Sequence, residues 1–172
     1  MPFLQPLGEL NPPGRGSVQR LGWSEGEVVN RARILLADDH HEMRDRVERY
    51  LEHDFEVLGS VDNGFDLLKA AAKQNPDVCL LDISMPVLNG IETATRLREG
   101  GSTAKIVFLT VHEDPDFVQA ALKTGASAYV LKRRMVSDLR FAIKEALGGR
   151  IFVSSSLSVS GEPDNKLPPV GG

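Results

Sequence analysis

Only one cysteine, Cys79, occurs in 172 residues, so no disulfide can staple the chain internally, and a reducing compartment is expected. No apolar run approaches the length of a membrane span; the longest are short, strand-like stretches. The opening MPFLQPLGELNPPGRG lacks a positive head followed by an apolar stretch, so it does not read as a secretory signal. Excess basic charge is missing too: 20 Lys and Arg face 24 Asp and Glu, a net charge of −4. That balance gives no general attraction to nucleic acid or to an anionic membrane, and DNA contact would need a local basic patch. Repeats of the solenoid or propeller kind are absent. The expected setting is the cytoplasm, with no membrane association and no direct nucleic-acid binding by this chain.

What is present is enough apolar material, 41% of residues against 26% charged, to bury the core of one ordinary domain. Residues 1–32 are rich in Pro and Gly without sustained period and read as a flexible extension; Trp23 falls in it. From Arg33 short apolar runs alternate with helical patterns. The runs are RILLAD (33–38), FEVLGSV (55–61), DVCLLD (77–82), AKIVFLT (104–110) and SAYVLK (127–132), several of them near-continuously apolar, as parallel strands buried on both faces should be. Between and after them lie amphipathic stripes: Met43, Val47 and Leu51; Phe65, Leu68 and Ala72 behind an Asn63 cap; Ile91, Ala94 and Leu97; Val118, Ala121 and Leu122 behind Asp114-Pro115; Val136, Leu139, Ile143 and Leu147. Five strands alternating with five helices make right-handed βαβ units and a doubly wound α/β sheet. Residues 154–172, polar and rich in Ser, Pro and Gly, read as a flexible tail or the start of an interdomain linker.

Ligands of open α/β sheets sit beyond the carboxyl ends of the strands. Here the first strand ends in Asp38-Asp39, the third in Asp82, the fourth in Thr110 and the fifth in Lys132. Three clustered carboxylates repel unless a cation lies among them, and their hard oxygens favour magnesium. An ionised aspartate is also a nucleophile for phosphoryl transfer, while a lysine and a metal neutralise the transferred group and a hydroxyl holds one of its oxygens. Each residue has a plainer reading alone: Asp38-Asp39 as helix caps, Asp82 as turn chemistry, Thr110 as a β-branched strand residue, Lys132 as part of a solvated charge run with Arg133 and Arg134. Together, at the ends of four strands of one sheet, they fit one reaction.

The stretches LLADDHHEMR, LLDISMPVLNGIE and IVFLTVHEDPDFVQAALKTGASAYVLK resemble the receiver domains of bacterial two-component response regulators, over about residues 33–153. The part running through AIKEALGGRIFVSSSL is most similar to the subfamily whose receivers precede a helix-turn-helix output domain. The resemblance implies a five-stranded, flavodoxin-like (βα)5 fold with strand order 2-1-3-4-5. It implies that Asp82 is the phosphoacceptor and that Mg2+ is bound by Asp39 and Asp82 directly, by Asp38 through water and by the Ser84 carbonyl. Thr110 and Lys132 would engage the phosphoryl group, and Tyr129 would change rotamer with Thr110. Implied partners are a sensor histidine kinase or phosphotransfer protein and a homodimer strengthened by phosphorylation. An output domain absent from this chain would control transcription. Alternatively, the chain is a stand-alone or phosphorylation-independent receiver that acts by binding proteins.

Two positions depart from the family pattern. Val111 stands where a small residue is usual and is expected to restrict access to the site, and Arg133 replaces a Pro, small or acidic residue. His40 and His41 read as a solvated helix start. A magnesium-dependent phosphotransferase or phosphatase of related fold would want a second acid two residues past its nucleophile, where Ser84 stands. A flavin- or nucleotide-binding module would offer phosphate-binding amides in its first loop, where ADDHHE repels phosphate unless a metal intervenes. Self-phosphorylation and self-dephosphorylation without turnover of an external substrate is the expected activity, so the chain is not expected to be an enzyme.

Overall fold

The computed structural model describes residues 30–155. The expected extension and tail therefore lie almost wholly outside the described residues, Trp23 included. Eleven main elements follow in order: β1 Arg33–Ala37, α1 His41–Leu51, β2 Glu56–Val61, α2 Gly64–Gln74, β3 Val78–Leu81, α3 Gly90–Glu99, β4 Lys105–Thr110, α4 Pro115–Lys123, β5 Ala128–Leu131, α5 Met135–Leu147 and β6 Phe152–Val153. All strand pairs are parallel, in the order β2-β1-β3-β4-β5-β6. The expected order 2-1-3-4-5 is present, and a sixth strand is added. Its sequence signal, two residues after Gly148-Gly149, is too short to separate from a loop.

Alternation along each strand serves two cores. Leu35, Cys79, Leu81, Ile106, Phe108, Tyr129 and Leu131 meet α2, α3 and α4 on one face. Ile34, Leu36, Val78, Leu80, Val107, Leu109 and Val130 meet α1 and α5 on the other. Because both faces are covered, the strands read as unbroken apolar runs. Each fully buried Leu or Ile contributes about 1.5–3 kcal/mol of transfer free energy. Cys79 is a packed core thiol, its pKa pushed up to about 12 by burial.

Local signals set the helix starts. Asn63 accepts from the Asp66 amide, Asp114 caps α4 ahead of Pro115, and Asn89 forms a reciprocal capping box with Glu92. Two expected stripes are displaced. In α2 the buried face is Gly64, Leu67 and Ala71, while Ala72 is exposed and Phe65 is 50% exposed under the Lys69 ammonium. A close approach sets this face: a Cβ on Gly64 would lie 1.8 Å from Thr93 Oγ1. In α5 Met135, Leu139, Ala142, Ile143 and Ala146 are buried, and Val136 and Leu147 are exposed. Small alanines take the sheet-facing positions there, which periodicity weighted by side-chain size overlooks.

Gly90 opens α3 directly behind the end of β3. Its amide donates to the Ile83 carbonyl at 2.8 Å, and a Cβ there would lie 2.0 Å from the Asp82 carbonyl oxygen. Backbone cannot retreat as a flexible side chain would. Gly90→Ala is therefore expected to destabilise the protein by about 2–3 kcal/mol, measured by urea unfolding; an unchanged midpoint would show that α3 does not pack this tightly on Asp82.

Candidate functional site

The sheet delivers the expected residues to one place. Asp38 and Asp82 follow adjacent strands β1 and β3, where the Asp82 amide donates to the Ala37 carbonyl at 2.9 Å. Both side chains are buried, Asp82 being only 3% exposed. Lys132, the first residue of a 3-10 turn (Lys132–Arg134) after β5, places Nζ 2.7 Å from Asp38 Oδ2 and 2.9 Å from Asp82 Oδ2. The other Asp82 oxygen accepts from the Ile83 amide at 2.7 Å. Asp39 is more exposed, yet Asp38, Asp39, His40 and Asp82 each offer a ligand atom within 4.8 Å of the others.

Burial pushes the Asp82 carboxyl above the ordinary carboxylate range, and the Asp38 charge adds to this; the hydrogen bond and charge of Lys132 oppose it without cancelling it. For Lys132 burial acts to lower the pKa, but bonding to Asp38 and Asp82 outweighs it and holds the ammonium above its usual value. The site thus keeps a cation between two carboxylates, one of which ionises at a cost.

Thr110 and Tyr129 are fully buried and both grip His112 of the loop after β4: Thr110 Oγ1 accepts from the His112 amide at 3.3 Å, and Tyr129 Oη donates to the His112 carbonyl at 2.9 Å. The His112 ring bridges to Ser84, Nε2 to Oγ 2.6 Å, and stacks on Phe117 of α4 at 4.2 Å between centroids. Arg133 crosses to Glu113 of the same loop, Nε to Oε1 2.5 Å. Val111 is 65% exposed and lines a cavity with Met43 and Lys132, and a second cavity is lined by Asp39, Ile83, Ser84 and Phe117.

Sequence reasoning passed over several of these groups. His40, read as a solvated helix start, has Nδ1 2.9 Å from Asp39 Oδ1 and 3.2 Å from Asp38 Oδ1, and its amide donates to Asp38 Oδ1; His41 is exposed as expected. Arg44 Nη1 donates to the Asp38 carbonyl at 2.7 Å, a helix-start contact that no motif announces. Val87, 84% exposed in the loop before α3, holds φ at 68°. A β-branched residue there stores on the order of 1 kcal/mol of strain.

A raised carboxyl pKa in the folded state means that ionising Asp82 opposes folding. Its contribution to stability falls as pH rises from the ordinary carboxylate value through the raised one, and the penalty is complete above it. In metal-free buffer at neutral pH, Asp82→Asn is therefore expected to be more stable than the parent by on the order of 1 kcal/mol. The gap should close in acid. A destabilised Asp82→Asn at neutral pH would mean that the Lys132 contact dominates instead.

Comparison with known proteins agrees with this geometry. The family described as response regulator receiver domain matches residues 34–144. The transcriptional regulatory protein DegU of Brevibacillus brevis is 36% identical over 126 residues, 72% of this chain and 53% of that protein. The nitrate/nitrite response regulator protein NarL of Escherichia coli (strain K12) is 37% identical over 129 residues, 74% and 60% of the two chains. The chain thus spans little more than half the length of these relatives. Among solved structures, a two-component response regulator of the LuxR family from Aurantimonas sp. SI85-9A1 superposes with a TM-score of 0.71 at 29% identity, covering 74% of this chain and 92% of that one. A DNA-binding response regulator of the LuxR family from Staphylococcus aureus gives 0.65 at 30% identity, covering 67% and 98%. By sequence and by fold, this chain belongs to the response regulator receiver family.

Proposed function

We propose that the chain is a phosphoaspartate switch in which Asp82 is the acceptor. The observation that carries this reading is the ammonium of Lys132 lying between the buried carboxylates of Asp38 and Asp82 at the ends of three strands. The donor would be a phosphohistidine of a sensor histidine kinase or phosphotransfer protein. An Asp82 carboxylate oxygen attacks phosphorus, the P–N bond breaks, and the imidazole leaves with the electron pair, giving an acyl phosphate.

Hard oxygens of Asp38, Asp39 and Asp82 within 4.8 Å suit a small divalent cation. Asp39, Asp82 and the Ser84 carbonyl would bind Mg2+ directly and Asp38 through water. The ion would supply charge neutralisation at the transferring group. Lys132 then stabilises a phosphoryl oxygen while still facing Asp38, and the buried Thr110 hydroxyl turns its proton toward another. Doing so alters its hold on the His112 amide, whose carbonyl Tyr129 grips from the other side. The loop after β4 is thus a two-state element whose balance the phosphoryl group biases through Thr110, with Tyr129 following.

The relatives named as transcriptional regulatory proteins support a role in transcription. An output domain and a homodimer strengthened by phosphorylation would carry that role. The chain would act in the cytoplasm; no helix among the described residues is long and apolar enough to cross a membrane. It would turn over no external substrate.

Intact mass after incubation with a small acyl phosphate or phosphoramidate tests the reading. One labile phosphoryl group is expected on the parent with Mg2+, and none on Asp82→Ala or without the metal. No uptake by the parent with either donor, or equal uptake by the variant, would overturn Asp82 as the acceptor.

A further inference from the structure

Ser154, where a flexible tail is expected to begin, is 1% exposed. Its amide donates to the Tyr129 carbonyl at 3.0 Å, its hydroxyl oxygen accepts from the Leu131 amide at 3.2 Å, and that hydroxyl donates to Asp138 Oδ2 at 2.7 Å. Asp138, on the first turns of α5 and also buried, takes a two-pronged bond from Arg134, Nε at 2.8 Å and Nη2 at 3.0 Å, and a further bond from Ser137 Oγ at 2.6 Å. Burial acts to raise the Asp138 carboxyl, but bonds from Arg134, Ser137 and Ser154 outweigh it and hold it at about 2, an ionised acceptor at neutral pH.

Resting on the phosphoaspartate reading of Asp82, we propose that Asp138 and Ser154 form a buried relay coupling the turn that carries Lys132 to the anchoring of β6. Lys132 opens that turn and Arg134 closes it. When Asp82 becomes an acyl phosphate, Lys132 exchanges a carboxylate oxygen for a phosphoryl oxygen and must re-aim. The turn moves with it at one end and is clamped to Asp138 at the other. Ser154 feels both ends, since its one hydroxyl accepts from Leu131, the residue before Lys132, and donates to Asp138. A single proton and a fixed oxygen satisfy both partners over a narrow range of geometry. β6 has only two residues, too few to hold a strand without such an anchor. The grip on Ser154 therefore follows the state of the site, and with it the anchoring of β6.

The test is hydrogen exchange on the full chain with Mg2+, with and without beryllofluoride as the phosphoryl mimic. In the parent, protection of amides 152–154 is expected to change about fivefold or more on mimic binding. In Ser154→Ala and Asp138→Asn these amides should exchange fast in both states. By reciprocity of linked equilibria, the mimic's affinity should shift about threefold to tenfold in both variants. Ser154→Thr, which keeps the hydroxyl, should restore parental behaviour, and Thr95→Ala, at an exposed position of α3, should change nothing. If the mimic binds the parent but leaves amides 152–154 untouched, the relay is wrong. It is equally wrong if the variants loosen these amides yet bind the mimic with parental affinity, since a merely structural anchor does that. No mimic binding by the parent would overturn the phosphoaspartate reading and the relay with it.

Discussion

An ammonium ion between two buried carboxylates is the constraint on which the upper end of this sheet depends. Taking Asp38 and Asp82 out of water is costly for each, and their mutual repulsion adds to the cost. Lys132 Nζ, within 2.9 Å of both, makes the arrangement tolerable without making it favourable for Asp82. Around that triad the other elements fall into order. The parallel pairing of β1 with β3 sets the carboxylates side by side, the 3-10 turn after β5 aims the lysine, and the absent side chain of Gly90 lets α3 close behind Asp82. A cation or a proton held beside these carboxylates would relieve that electrostatic tension.

Strand ends were legible in the sequence for a physical reason. Strands covered on both faces are apolar throughout, so the first polar residue after each run marks where the sheet stops and the site begins. Asp38, Asp82, Thr110 and Lys132 were all locatable this way. Helix faces were less so, since in α2 the stripe through Phe65 and the stripe through Leu67 have nearly the same period. A contact from another helix, Thr93 against Gly64, decides between them. Ser154 sits in a run of serines in which nothing marks the one that will be buried. The departure at Arg133 was visible, but its partner Glu113 lies across two loops whose meeting is a product of the fold. The same holds for the His112 ring on Ser84.

Thr110 and Tyr129 hold the backbone of one residue, His112, one bonded to its amide and one to its carbonyl. A change at the threonine hydroxyl would thereby bear on the whole loop, which also carries the Ser84 bridge and the Glu113 pair. Interactions that are each weak, such as the exposed Arg133–Glu113 pair, matter here because they share a rigid connection rather than because of their separate strengths.

The sixth strand has a consequence for self-association. A sheet that ended at β5 would present unpaired amides and carbonyls to solvent, a template on which another chain could lay a strand. With β6 against Ala128 and Tyr129, and Ser154 taking the Leu131 amide, β5 has no vacant ladder of its own, and the margin that replaces it is two residues long. Two copies of this domain that meet on this side would find, among the described residues, an edge of only two residues on which to extend the sheet.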